Sequence, residues 1–228
     1  MSERSLVVFD FDHTLYDGDS GAHLVAWLIR RHAWRKCLAL LAAPLLLPMV
    51  AWLPTRRRGI SGFLWIGTVG ARGPIERSID AYVAANAADI RTRLLAPALA
   101  VLHRHRVAGD EVLVATGAPP ELARAILDFV AHQDLPVVGS LGERFLGGYV
   151  TTQHCHAENK MRMIRARGFG AIETAYSDSV ADLPLLHAAR HPVVVNPKPG
   201  RVAHLRKVLP AGTPVLNWGC RSRAGEQP

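Results

Sequence analysis

Short apolar runs recur along the chain, each closed by a polar residue and followed by a helical pattern. Leu6-Val7-Val8-Phe9 contains no polar position, the signature of a strand covered on both faces of a parallel sheet. Val112-Leu113-Val114-Ala115, Thr174-Ala175-Tyr176-Ser177 and Pro192 to Asn196 repeat the pattern, Val137 to Leu141 adds a candidate, and Pro214 to Leu216 is a last short strand. Between them lie helical stretches. Gly18-Asp19-Ser20 is a turn and N-cap for a helix to about Arg31. Pro74 opens a helix to about Ile90, and another covers Arg91 to about Arg106 and stops at Gly109. Others run from Pro120 to about Val130, from Glu158 to about Arg167 and from Arg201 to Val208. Arg144 to Val150 reads as a hairpin turning on Gly147-Gly148. Alternating strands and helices predict an α/β fold, a doubly wound parallel sheet with a helical insertion after the first strand.

That insertion breaks the rhythm. Arg30, Arg31, Arg35 and Lys36 lead into Cys37 to Leu53, seventeen residues without a charge, closed by Pro54 and Arg56-Arg57-Arg58. A second apolar patch, Ile60 to Ala71, follows. A membrane span needs about twenty apolar residues. Pro44 and Pro48 would kink one, and basic clusters on both flanks conflict with the rule that holds Arg and Lys inside. If Asp10 works with residues near the C-terminus, the chain between them must also cross an even number of times. Two readings survive: a re-entrant or interfacial anchor with arginines on lipid headgroups, or the core helix of a small domain. Uniform apolarity between symmetric arginines favours the first.

At 228 residues, 49% hydrophobic and 20% charged, the chain can bury one large core and a smaller insertion. A net charge of +8 favours anionic partners. The arginines are scattered and not interleaved with aromatic residues, which argues against nucleic acid. Cys37, Cys155 and Cys220 are far apart with no Cys-x-x-Cys pair, which suits a reducing compartment. His154-Cys155-His156 lacks the second cluster that a zinc site needs and reads as a loop. His103 and His105 read as surface residues, and Arg221 to Pro228 as a frayed tail. No signal peptide precedes the first strand, so a cytoplasmic site is expected.

Candidate chemistry sits where strands end. Asp10 and Asp12 follow the first strand, with Thr14 beyond; at a strand's carboxyl end both carboxylates can turn into the crevice where open α/β sheets bind ligands. Two adjacent acids call for a cation, and Mg²⁺ with phosphate is the usual answer. Thr116-Gly117, between a strand and a helix, is either an anion cradle or a simple N-cap. Lys160, at the start of a helix, opposes the helix dipole; a nearby anion would explain it, as would a surface position. Asp178 and Asp182, four apart, can share one side of a first helical turn.

Taken in order, Asp10-x-Asp12-x-Thr14, Thr116-Gly117, Lys160 and Asp178-xxx-Asp182 resemble the four motifs of the haloacid dehalogenase (HAD) superfamily of phosphohydrolases, over residues 5–17 and about 110–217. Tyr176-Ser177-Asp178-Ser179, Asp182-Leu183-Pro184-Leu185-Leu186 and His191-Pro192-Val193 resemble its phosphoserine-phosphatase-like branch. The apolar insertion and Phe63-Leu64-Trp65-Ile66-Gly67-Thr68-Val69-Gly70 are similar to the bacterial phosphatidylglycerophosphatase C family. His13 and Ser177 stand where glycine is usual, departures expected to alter loop shape rather than chemistry.

The resemblance implies a HAD-like, Rossmann-type core over 1–17 and 106–217, a helical cap over 18–105 with a membrane-associating segment at 37–71, and a tail over 218–228. It implies Asp10 as nucleophile and Asp12 as acid and base. Thr116, Gly117 and Lys160 would hold the phosphoryl group, and Asp10, Asp12, Asp178 and Asp182 would hold Mg²⁺. The expected activity is phosphomonoester hydrolysis through an aspartyl-phosphate, converting phosphatidylglycerophosphate to phosphatidylglycerol at the cytoplasmic face of the inner membrane. Its partners would be an anionic phospholipid substrate and the membrane surface. The alternatives are a soluble hydrolase of a small ester such as phosphoserine, and a non-catalytic module that binds anions by charge.

Overall fold

The computed structural model describes residues 5–130, 132 and 134–224. Strand β1 (Leu6–Asp10) is buried along its whole length. Leu6 and Val8 enter one core, Val7 and Phe9 the other, as alternation along a central strand requires. Helices α1 (Ser20–Arg30), α2 (Ala33–Ala51), α3 (Arg56–Thr68), α4 (Ile75–Ala85), α5 (Ala87–Arg93) and α6 (Ala96–Ala108) then precede β2 (Glu111–Ala115). The chain continues through α7 (Pro120–Leu127), β3 (Val137–Val138), β4 (Leu141–Phe145), β5 (Gly148–Gln153), α8 (Glu158–Ala166) and β6 (Ile172–Ser177). It closes with α9 (Leu183–Ala188), β7 (Ala189–Val195), α10 (Val202–Val208), β8 (Val215–Leu216) and α11 (Arg221–Ala224).

Among the described residues the main sheet has six parallel strands in the order β3-β2-β1-β6-β7-β8. Connections run outward on both sides of β1, so strand order switches beside it, where such sheets bind ligands. This is the doubly wound α/β fold with a helical insertion.

Four local expectations need correction. The stretch from Pro74 to Arg106 forms three helices, not two. The chain turns at Asn86, whose Nδ2 donates to Tyr82 O at 2.7 Å. It turns again at Leu94 and Leu95, where Leu95 N–H reaches Leu15 O at 3.0 Å and Asp17 N–H reaches Arg93 O at 2.7 Å. The hairpin turns on Leu146-Gly147, with φ of 43° and 81°, because a two-residue turn of the favoured hand needs positive φ at both positions. His105 is no surface residue; its ring bridges Asp110 Oδ2 (2.7 Å) and the Tyr176 hydroxyl (2.9 Å).

The expected tail is tied down as far as it is described. Trp218 and Cys220 are buried, and Asp17 accepts from Arg221 N–H (3.1 Å) and Ser222 N–H (2.9 Å). Residues 225–228 lie outside the described residues. Burial alone would push the Asp17 carboxyl up, but bonds from Ser222, Cys220 and Arg221 outweigh it and hold it well below the usual carboxylate range. A depressed carboxyl stabilises the fold above its unfolded value near pH 3.9 and loses that effect as pH falls through its folded value. Asp17→Ala is therefore expected to cost about 1–3 kcal/mol at pH 7, measured by urea denaturation. An unchanged midpoint would remove the anchor.

Helix α2 is the segment read as anchor or core. It runs unbroken through Pro44 and Pro48 and is not a core helix: Arg35 is its buried residue, while Leu40, Leu41, Leu45 and Leu47 are exposed. Nineteen residues of mean hydropathy 1.4 make it long and apolar enough to cross a membrane by length and composition. Arg35 fastens its start, donating to Leu28 O (3.3 Å) and Val69 O (2.7 Å). Close packing on α3 needs a glycine at 59, where a Cβ would lie 2.8 Å from the Val50 backbone nitrogen; at Gly62 a Cβ would lie 2.7 Å from Leu46 Cδ2, a side-chain tip that would have to move. The opposite side of α3 caps the edge of β5, where Ser61 and Thr68 hydroxyls accept from Thr151 N–H (3.0 Å) and Tyr149 N–H (2.8 Å).

Candidate active site

Register places the chemistry. Asp10 pairs with Ala115 of β2, and Phe9 with Tyr176 of β6, so three strand ends deliver Asp10, Thr116-Gly117 and Ser177-Asp178 to one rim. Lys160 rises from the first turn of α8 and is buried between carboxylates. Its Nζ donates to Asp10 Oδ1 at 2.8 Å and to Asp182 Oδ2 at 2.6 Å. Asp182 Oδ2 also accepts from Ser177 Oγ at 2.8 Å. A lysine that opposes its own helix dipole is thus answered by anions from two other elements.

The loop after β1 is braced from afar. Asp12 Oδ1 accepts the Ser20 N–H that opens α1, at 2.8 Å. His13 has φ of +60°, the left-handed region that glycine occupies freely. Asn196 Nδ2 donates to His13 O at 2.8 Å, and Asn196 Oδ1 accepts Trp218 N–H at 2.6 Å. The serine in place of a glycine at 177 serves Asp182. Neither Ser177 nor Asn196 stood out in the sequence as a bracing residue; the signals were a hydroxyl before an Asp and an Asn-Pro pair directly after a strand.

Charge is unbalanced here. Burial pushes the Asp10 carboxyl well up; Lys160 opposes this, and the charges of Asp182 and Asp178 add to it. Burial, then Asp19, pushes Asp12 up to about 7, against the bond from Ser20. Burial would lower Lys160, but Asp10 and Asp182 outweigh it and hold the ammonium charged far above its ordinary range. Two carboxylates touch the one ammonium, and Asp12 and Asp178 line the same cleft, an excess of acidic groups that suits a divalent cation.

Asp10, Asp12, Gly117, Lys160, Asp178 and Asp182 line one cleft of about 990 Å³. Thr116 does not border it; it is buried behind Gly117, where its Oγ1 accepts Ala118 N–H at 3.0 Å. Among the described residues no three acidic, imidazole or thiol groups close around a common point. Asp182 turns its Oδ2 to Lys160 and Ser177, which makes this carboxylate a support of the lysine. The cleft climbs from this floor to an apolar wall formed by Val25, Ile29, Leu47, Val50 and Phe63 of α1, α2 and α3. His154 and His156, read as plain loop residues, stand in the same cleft.

Residues 7–187 match the family model described as haloacid dehalogenase-like hydrolase. A probable phosphatase of Mycobacterium tuberculosis is 32% identical over 142 residues, spanning 57% of this chain and 46% of that protein. The chain thus spans about half the length of the curated relatives it matches. A protein of unknown function from Bordetella pertussis Tohama I is similar in structure, with a TM-score of 0.75 at 24% identity over 95% of this chain and 100% of that one. A phospho-aspartyl intermediate analogue of phosphoserine phosphatase is similar with a TM-score of 0.57 at 14% identity, over 95% and 94%. Both structural likenesses establish the shared fold.

Proposed function

We infer the activity from one premise: the chain belongs to the haloacid dehalogenase-like hydrolase family. It is a phosphoric monoester hydrolase that works through an aspartyl-phosphate. Asp10 attacks phosphorus in line and the ester oxygen leaves, taking a proton from Asp12. Asp12 then removes a proton from water, which attacks the acyl phosphate, releases inorganic phosphate and restores Asp10. A carboxyl held near pH 7 by burial suits both roles. The Gly117 amide and Lys160 hold the phosphoryl oxygens, while Thr116, buried behind Gly117, braces that loop by accepting the Ala118 N–H. Asp10, Asp178 and the main-chain carbonyl of Asp12 would hold Mg²⁺, with Asp182 one step back. When bound, the ion offsets the charge of phosphoryl and carboxylate groups.

The substrate is an anionic phospholipid with a terminal phosphomonoester, phosphatidylglycerophosphate, converted to phosphatidylglycerol. The observation that carries this reading is the single cleft, polar at Asp10 and apolar where it meets α1, α2 and α3. Beside it α2 offers exposed leucines between arginines, the composition of a segment that lies in a lipid interface. The protein would then act at the cytoplasmic face of the inner membrane, peripherally or by a re-entrant helix. Flotation with anionic vesicles and phosphate release from this lipid against phosphoserine test it together. The protein is expected to float and to prefer the lipid by more than about tenfold in kcat/KM. A protein that stays in the soluble fraction and prefers phosphoserine would replace this reading with that of a soluble small-ester phosphatase.

A further inference from the structure

The cleft wall beyond Gly117 carries groups that the chemistry above leaves unused. A Cβ at Gly117 would lie 3.6 Å from His154 Cε1, and His154 Nδ1 is 3.0 Å from Ser140 Oγ. His156 stacks on His154, ring centroids 5.2 Å apart. Arg56 Nη1 lies 3.3 Å from His156 Nε2, and Arg56 Nε donates to Val50 O at 2.9 Å. The row runs from the phosphoryl loop to the junction of α2 and α3, where the apolar wall begins, and all of it lines the one cleft.

Among the described residues Arg56 is a cation without an anion. None of the ion pairs among the described residues includes it, and its Nη2 has no hydrogen-bond partner there. The imidazoles beside it supply no negative charge. Burial, then His156 and Arg56, push His154 down to about 4, and burial lowers His156 as well. A neutral His156 accepts from Nη1 and Val50 O accepts from Nε, which fixes the guanidinium plane and leaves its remaining edge to the cleft. A held guanidinium in a partly apolar cleft is a receptor for a phosphate oxygen pair.

We propose that Arg56, oriented by His156 and Val50, is a second anion subsite that takes the phosphodiester of a phospholipid headgroup whose terminal phosphomonoester sits at Asp10. The inference rests on the lipid reading above and explains how the site would distinguish that lipid from phosphoserine, which has no second phosphate.

The test compares three substrates of the full chain: phosphatidylglycerophosphate in mixed micelles, its deacylated headgroup, and p-nitrophenyl phosphate, which has no diester. Arg56→Gln is expected to lower the ratio of kcat/KM for the deacylated headgroup over the aryl phosphate by about tenfold or more, mostly through KM. Arg56→Lys should restore part of it, since charge returns without the planar fork. Glycerophosphoglycerol, which keeps the diester and lacks the monoester, should inhibit aryl phosphate hydrolysis more weakly in Arg56→Gln than in the wild type. Because Arg56 also braces Val50, His156→Ala is the second probe and should lower the same ratio. An unchanged ratio in either variant, or equal inhibition, overturns the subsite and leaves the lipid reading standing. A wild type that cleaves the aryl phosphate but neither headgroup substrate overturns the lipid reading, and the subsite with it.

Discussion

Asp10→Asn is expected to lower turnover by about 10⁴-fold or more while the protein stays folded. The amide keeps the shape of the carboxylate but is no nucleophile toward phosphorus. The environment tolerates the change because negative charge there is in excess. Burial and the charges of Asp182 and Asp178 already disfavour an ionised Asp10, and Lys160 keeps Asp182 at 2.6 Å. Stability without added divalent cation should therefore shift by no more than about 1 kcal/mol, in either direction. Phosphate release and a urea midpoint on the same preparation decide the matter. Normal turnover would dismiss Asp10 as the attacking group, whereas an unfolded variant would make it a structural residue instead.

What could be read in the chain depended on how far each residue's partner lies along it. β1 was legible because a run without polar residues has one comfortable place in an α/β fold, the buried centre. The strand-end acids were legible because strands in such sheets aim their carboxyl ends at one crevice. The reason for Lys160 was not, since its acceptors lie 150 and 22 residues away; locally it was a lysine on the wrong end of a helix. The departure at His13 could be seen, but not that it would adopt φ of +60° with Asn196, 183 residues distant, holding its carbonyl. The polar stretch from Arg221 looked frayed because nothing nearby could satisfy it. Its partner is Asp17, 205 residues back from the Ser222 amide. Helical periodicity from Pro74 to Arg106 concealed the break at Leu94 and Leu95 for the same reason, as Leu95 returns to Leu15 and Arg93 to Asp17. The row from His154 to Arg56 was missed because 100 residues separate Arg56 from His156.

Lys160→Met should destabilise the protein by about 3–5 kcal/mol at neutral pH, and by a margin that depends on pH. Lys160 is 3% exposed and donates to Asp10 and Asp182 at 2.8 and 2.6 Å. Methionine fills the volume but leaves two buried carboxylates without a counter-charge, a cost set by desolvation rather than by the missing bond. In the wild type the ammonium is held charged above the ordinary lysine range, so its contribution is fully present below about pH 10.4 and is lost only as pH rises through the folded value. In the variant, Asp10, already pushed up by burial, loses the one group that opposed the push. A carboxyl raised on folding penalises the fold above its unfolded value near pH 3.9 and has no effect below it. The difference between the proteins should thus be widest near pH 7.5 and shrink toward pH 4.5. Urea denaturation at both pH values in a chelator, so that no divalent ion masks the carboxylates, measures it. Turnover should fall in parallel by about 10²–10³, the usual loss when one charged donor to a transferring group is removed. A gap that stays flat across that pH range, or one smaller than about 1 kcal/mol, would mean that Lys160 balances no buried charge. The convergence of Asp10, Lys160 and Asp182 would then be a matter of packing alone.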